Sequence, residues 1–447
     1  MHILNTCNGL KCHFKHKYQR RCDVIKHRVS FLTNYLNLSL LLFSLILLFM
    51  PNAYALEPLK ESLTLNDAIK RTLNVHPDLK AYVFKSKASQ AMITQSSISA
   101  PINIRAKVED TLGTGVFSSL SSMKTTISID WLLDNSKTQA KIKLASNKAK
   151  LVEFNKQIKA LDIAAKTADI YITLLAQKEQ LTLAKLGLDQ ASKAYNDVVK
   201  QIEVGKSLRV DKYRAKANMA NKALIVEDLS HEIEASQAKL AAQWQGETNF
   251  IASGSLAEVP SIEAVEAAYL KLNQHPKLKK LAIEQKISNS AITLAKVNEK
   301  PAWQLSAGLK HDNLNNDFGF NVGISIPLGG ENRNAGEIRK LQAEQNVKQA
   351  QTEAWQKHVL TQVLLVSHQL KHNRHVIEGL SKEVIPALES ANTEAEKAYS
   401  LGRYRYSEWY DVQQDLISAQ YDLISAYANV HHLNIELQRL SGNSLAL

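Results

Sequence analysis

Beyond residue 55 the chain has no cysteine: Cys7, Cys12 and Cys22 all precede that point. Disulfides and thiol chemistry are therefore excluded from most of the protein. Proline and glycine are scarce in 447 residues, at 9 and 16, and aromatic side chains make up 6%. So few breakers and rings fit long helices better than an enzyme-like α/β domain. There is no phosphate-loop pattern, no HExxH and no GxSxG, and the carboxylates are spread along helices instead of gathered at a cleft. The sequence thus offers no catalytic constellation and no cofactor motif. After residue 55 it also lacks any run approaching the ~20 apolar residues that a bilayer-spanning helix needs. Half of the net charge of +12 sits in residues 1–55, and the remaining +6 is mild for so long a chain, so a nucleic-acid partner is not favoured.

Residues 1–55 have the layout of an export signal. Lys11 to Arg28 is basic, Leu36 to Met50 is apolar, and Ala53-Tyr54-Ala55 after Pro51 is a small-x-small cleavage site. An uncleaved membrane anchor is the alternative.

The chain writes one octapeptide nearly twice: LNVHPDLK at Leu73–Lys80 and LNQHPKLK at Leu272–Lys279. Chance, a metal site built from His76 and His275, and duplication of the chain would each explain it. The flanks favour duplication. Ile127-Ser128-Ile129 answers Ile324-Ser325-Ile326, Val204-Gly205-Lys206 answers Leu401-Gly402-Arg403, and Gly246 answers Gly442. Offsets stay between 196 and 200, an order that chance matches would not hold. The expected organisation is a first repeat at 56–246 with a hairpin near 101–133. A joining segment at 247–261 follows, then a second repeat at 262–442 with a hairpin near 301–329, and a tail at 443–447.

Each repeat has the same order of pieces. A short helix, Leu65 to Asn74 in the first copy, meets His-Pro, where proline suits the first turn of a new helix. Pro101 ends that helix. Ile102, Ile104, Ala106 and Val108 then alternate with polar residues at the period of a strand, and Met123, Thr125, Ile127, Ile129 and Trp131 do the same. In the second copy Trp303, Leu305, Ala307 and Leu309 precede the loop KHDNLNND and the strand Phe318 to Ile326. Residues 136–203 follow the first hairpin with no proline and only Gly187. As one helix they would span roughly 100 Å at 1.5 Å per residue.

The last helix shows two apolar stripes. Val412, Leu416, Ala419, Leu423, Ala426, Val430, Leu433, Leu437 and Leu440 repeat with the 3.5 period of a left-handed supercoil. Ile417, Tyr421, Ile424, Ala428 and Ile435 form a second stripe, interrupted by His431. Polar lines separate them, with Asp415, Ser418, Asp422, Ser425, Asn429, His432 and Glu436 on one side and Gln413, Gln420, Tyr427 and Asn434 on the other. Two seams and two wet faces describe a stave in a hollow cylinder; a helix in a solid bundle is the alternative. The equivalent helix of the first copy begins similarly, with Val210, Tyr213, Ala217, Ala220 and Leu224. The four strands are long enough to cross a bilayer, but only in a closed barrel, and single-chain barrels start at about eight strands. Chains would have to pool them, unless the hairpins cap a soluble bundle.

With the duplicated order, the opening LTLNDAIKRTLNVHPDL, the VGK and LGR turns, and the segment Gly323 to Glu344, the chain resembles the TolC-like outer-membrane efflux proteins, particularly their cobalt–zinc–cadmium branch. The resemblance covers about 63–442. It departs at one point: the family usually has Asn before the Pro, and here both copies have His. It implies a mainly α fold with membrane β-hairpins, a homotrimer, a 12-stranded outer-membrane barrel and a trimeric α-helical tunnel in the periplasm. It implies a passive exit duct for metal cations or drugs, fed through a periplasmic membrane-fusion adaptor by an inner-membrane transporter of the RND type. A type I protein-secretion exit and a soluble periplasmic coiled-coil scaffold are the other readings.

The resemblance points to the tip residues, and the charge clustering, face assignment and histidine spacing point to the other candidates. Val204, Gly205, Lys206 and Ser207, with Leu401, Gly402, Arg403 and Tyr404, would form the adaptor-binding tip. Arg209, Asp211, Arg214, Arg405, Glu408 and Asp411 would latch a periplasmic gate, unless they are solvated surface charges. Asp415 and Asp422 are candidates to line the lumen. His368, His372 and His375, with His358 upstream, share a helical face at metal-ligand spacing, but no cysteine or clustered carboxylate completes a set, so no metal site is expected.

Overall fold

The computed structural model describes residues 61–260, 271–329 and 332–443. The expected signal at 1–55, most of the short helix of the second copy and the tail beyond Asn443 lie outside the described residues.

The first copy runs β1 (Glu61–Leu63), α1 (Leu65–Val75), α2 (Pro77–Ser97), β2 (Asn103–Glu109), β3 (Lys124–Leu133), α3 (Asn135–Glu203) and α4 (Arg209–Gln243). The second runs from β4 (Phe250–Ala252) through α5 (Pro276–Glu299), β5 (Trp303–Asp312), β6 (Asp317–Ser325), α6 (Ala335–Gly379), α7 (Ile385–Ser400) and α8 (Tyr406–Ser441). The predicted helix at 136–203 is thus a single helix of 69 residues. Its counterpart is not. Between α6 and α7 the helix widens into a π turn at Leu380–Val384, just before Pro386. Proline has no N–H to return to the carbonyl four residues back, and a π turn absorbs that mismatch without ending the helix. Strand β5 runs on through Lys310, His311 and Asp312, which the sequence pattern placed in the loop.

The two octapeptides are helix joints with one chemistry. His76 Nδ1 accepts the Asp78 N–H at 3.2 Å, and His275 Nδ1 accepts the Lys277 N–H at 2.9 Å. Each imidazole therefore caps the helix that its proline begins, in the role that Asn or Asp usually fills. Both rings are held below the ordinary histidine pKa, chiefly by burial. A ring whose Nδ1 accepts a bond is neutral, and that nitrogen is not free for a metal.

Segment 247–261 is more than a joint. Its strand β4 pairs in parallel with β1, Leu63 opposite Ala252. The Tyr171 hydroxyl of α3 lies 2.7 Å from Leu63 O and 2.6 Å from Ser253 O, and accepts the Ser253 N–H at 3.0 Å. The start of the first copy, its long helix and the joining segment thereby close one core around Ala164, Ala168, Leu174, Leu240 and Phe250.

Candidate functional site

The hairpins form one four-stranded antiparallel sheet in the order β2-β3-β5-β6, so the two copies meet through their inner strands. Its registers align the apolar residues in rows. One row is Ile104, Ile129, Ala307 and Val322; the next is Ala106, Ile127, Leu309 and Phe320. This apolar face is bare: Phe320 is 88% exposed and Ile104 76%. The other face carries Arg105, Lys107, Thr126, Ser128, Asp130, Lys310 and Asn321, with Arg105 and Asp130 paired at 3.0 Å. It is also the crowded face. A Cβ on Gly308 would come within 2.7 Å of Ile127 O and 2.5 Å of Asn321 Oδ1. Crowding marks the concave side of a curved sheet, as closure into a barrel demands. The apolar-out, polar-in arrangement is inverted relative to a soluble sheet and suits a lipid-facing wall. Strands β2 and β6 are edges with no neighbour among the described residues.

Below the sheet the helices lie side by side. Helix α8 packs on α6 through the first predicted stripe, where Ala426, Val430, Leu437 and Leu440 meet Val359, Val363, Val366 and Leu370. It packs on α3 through the second stripe: Ile417 approaches Gly187, the Tyr421 hydroxyl donates to Gln180 O at 3.3 Å, and Ala428 and Ile435 enter the Tyr171 core. The interrupting His431 is itself satisfied, 3.0 Å from Leu256 O. The first polar line is wet at Asp415, Ser418, Asp422, Ser425 and Asn429; the second, Gln413 to Asn434, is half-buried, so α8 has one wet face and not two. The stripe expected at the start of α4, Val210, Tyr213, Ala217, Ala220 and Leu224, is exposed throughout, and α4 packs through other residues. Ala215 and Leu240 are buried, while Val210, Tyr213 and Leu224 are 54%, 69% and 61% exposed.

Both copies turn back in the same way. Gly205 and Gly402 each take φ 72, a left-handed conformation that favours glycine. The Lys206 N–H reaches Gln201 O at 2.7 Å, and the Arg403 N–H reaches Ala398 O at 2.9 Å, which closes each helix end. Val204, Leu401 and Tyr404 stand exposed here with Lys206 and Arg403, joined by Leu208, which the sequence did not single out. Two of the six expected latch charges have a local task. Asp211 Oδ2 accepts the Leu208 N–H at 3.3 Å and the Ser207 hydroxyl at 3.2 Å; Glu408 Oε2 accepts the Arg405 N–H at 2.7 Å. They are matched caps of α4 and α8. Arg209, Arg214, Arg405 and Asp411 are exposed, and within the described residues none of the six makes an ion pair.

Above the turns lies an aromatic cluster. Tyr399 stacks on Trp409 at 4.9 Å, and Tyr406 stacks on Tyr410 at 6.0 Å, over Ala194, Val198 and Ala215 of the first copy. Burial pushes the Tyr399 phenol up to about 12. The sequence signal was present but unused: five aromatic residues fall within 399–410 of an aromatic-poor chain. His358, His368, His372 and His375 are all exposed, and among the described residues no three His, Cys, Asp or Glu converge as a metal set.

A duplicated set of long helices laid as staves, joined to one curved antiparallel sheet with its apolar face outward, is the fold of the TolC-like outer-membrane channels. Known proteins agree. The chain is similar to the cobalt-zinc-cadmium resistance protein CzcC of Cupriavidus metallidurans, 22% identical over 382 residues, covering 85% of this chain and 90% of that one. It is also similar to the solved structures of the outer membrane protein VceC of Vibrio cholerae (TM-score 0.69, 17% identity, 85% and 96% of the two chains) and of CusC (TM-score 0.70, 14% identity, 89% and 96%). The open state of the Neisseria gonorrhoeae MtrE outer membrane channel matches with TM-score 0.68 at 16% identity, over 85% and 89%. No protein-family model matches the sequence.

Proposed function

We propose that the chain is the outer-membrane exit duct of a tripartite efflux system and works as a homotrimer. The observation that carries this is the four-stranded sheet with a bare apolar face, a polar concave face and two open edges. Open edges and exposed apolar surface are liabilities for an isolated soluble domain and are resolved together by closing a barrel in lipid. Three copies supply 12 strands. The outermost helices repeat the pattern: α2 exposes Val83, Phe84 and Met92, α4 exposes Val210, Tyr213 and Leu224, and α6 exposes Leu360, Leu364 and Leu365. In a ring these stripes meet the neighbouring copies.

The exposed tips, with Val204, Leu208, Leu401 and Tyr404 beside Lys206 and Arg403, are the surface offered to a periplasmic adaptor. Arg209, Arg214, Arg405 and Asp411 are the charges left to pair between copies when the tunnel closes, and Asp415 and Asp422 face its water. Energy would come from an inner-membrane pump, and the likeness to CzcC favours metal cations as cargo. The test is extraction with detergent, followed by gel analysis without boiling and planar-bilayer recording. Heat-resistant trimers that conduct are expected; a monomer released with the soluble periplasmic fraction would overturn the reading.

A further inference from the structure

On the wet side of α8 the two halves of the chain bring an imidazole and a carboxylate together across the wall. His432 Nδ1 lies 2.9 Å from Asp169 Oδ1 of α3. The pair opens into a cavity of about 520 Å³ whose other lining residues are Gln369 and Asn373 of α6 and Asn429 and Leu433 of α8. Five of the six lining side chains therefore carry a nitrogen or oxygen. The neighbouring His431 is engaged elsewhere, 3.0 Å from Leu256 O. His432 is partly exposed at 31% and Asp169 at 49%, so small solutes reach both.

We propose that a divalent transition-metal cation is held reversibly at this place, one per chain, between the His432 imidazole and the Asp169 carboxylate. Imidazole nitrogen and carboxylate oxygen together suit zinc, cobalt and nickel better than magnesium or calcium, which require all-oxygen shells. Bonds of about 2.0–2.1 Å to each donor in a tetrahedral shell place nitrogen and oxygen about 3.3 Å apart. Converting the hydrogen-bonded pair into a metal-bound pair thus moves the side chains by only a few tenths of an ångström. The cation replaces the proton shared by the two groups, and that proton leaves to water. The remaining positions fall to water and to the amide oxygens of Gln369, Asn373 or Asn429. Arg439, two turns further along α8, is occupied by Glu436 at 2.7 Å and by Asp162 at 3.4 Å, so its charge is offset, and Lys166, one turn from Asp169 on α3, is exposed.

Two strong donors make a weak, exchanging site. A site in a conduit must release what it binds, and the assignment of this cation as cargo rests on the duct reading. Titration of the purified full-length chain in detergent with zinc chloride, followed by calorimetry, tests the site. One saturable zinc per chain is expected, with magnesium giving no signal. Asp169→Asn and His432→Gln should each weaken binding roughly ten-fold or more; the glutamine still donates to Asp169, so the wall stays tied. His372→Gln should change nothing. Absence of saturable binding in the wild-type chain, full binding by His432→Gln, or loss of binding through His372→Gln would each overturn the proposal. Bilayer conductance of the same preparation separates the two readings. Conductance without zinc binding removes this site and leaves the duct, and zinc binding without conductance does the reverse.

Discussion

Helices α4 and α8 close the two copies and begin with similar apolar spacing, yet their surroundings differ. Helix α8 has a neighbour on each flank, α3 and α6, and Val430 at the centre of one seam is fully buried. Helix α4 packs chiefly on α3 and meets the other copy through Ala215, under the aromatic cluster, and through Lys222, which donates to Gln414 at 2.8 Å; the stripe of Val210, Tyr213 and Leu224 stays exposed. The difference is one of position in the row. A stave in the middle completes both seams within its chain, whereas a stave at the end leaves one stripe exposed, the one that the proposed ring would cover. In the proposed ring, similar local patterns would thus serve folding in one copy and assembly in the other.

The sharpest way to break this comparison is to place a charge in each seam. Val430→Asp should abolish folding or cost several kcal/mol, since an unpaired carboxylate would enter a packed seam; thermal melting followed by circular dichroism reads the loss. Leu224→Asp should leave the helical spectrum of the chain intact and instead eliminate the heat-resistant oligomer on gels. If both variants behave alike, the two stripes do not have different partners. Next in size is Trp409→Ala, which removes the ring stacked on Tyr399 and should cost about 3–5 kcal/mol. The loss should appear as faster amide exchange at both tips, because the cluster joins residues of both copies.

The paired joints give a third test through pH. Burial lowers the pKa of His275 and His76, so each binds fewer protons folded than unfolded near pH 6. Stability is then full above the unfolded value of about 6.5 and falls as pH drops below it toward the folded value. His431 has the same sign and the same chief cause. Urea midpoints measured between pH 7.5 and 5.5 should decline, and His275→Asn, which keeps a cap without a titrating ring, should flatten the decline. An unchanged slope would mean that the joint does not titrate. The smallest effects belong to the turns. A Cβ at Gly205 or Gly402 meets nothing within 4 Å, so alanine should cost only the left-handed backbone, about 1 kcal/mol at each, and equally in both copies.

Much of this was written plainly in the sequence. Helix α3 was legible because nothing between 136 and 203 breaks a helix, and the strands because their alternation is regular. The two stripes of α8 announced a neighbour on each of its flanks, though not which helices these are. The π turn was not legible: Pro386 marks a disturbance, but whether a helix ends, kinks or widens there depends on what packs around it. The capping role of Asp211 and Glu408 was not legible, because each looks like any surface acid until the turn places a backbone N–H within reach. The His432–Asp169 pair lies 263 positions apart in the chain, beyond the range of any local pattern.

The sequence by itself determined the repeat, the element order and the two-sided character of helices and strands, because side-chain periodicity depends only on local geometry. Which stripe meets a partner in the same chain, which is left bare, and which polar groups converge were decided only by tertiary structure. Those outcomes follow from the order in which staves and strands lie beside one another, and periodicity is the same at the middle of a row as at its end.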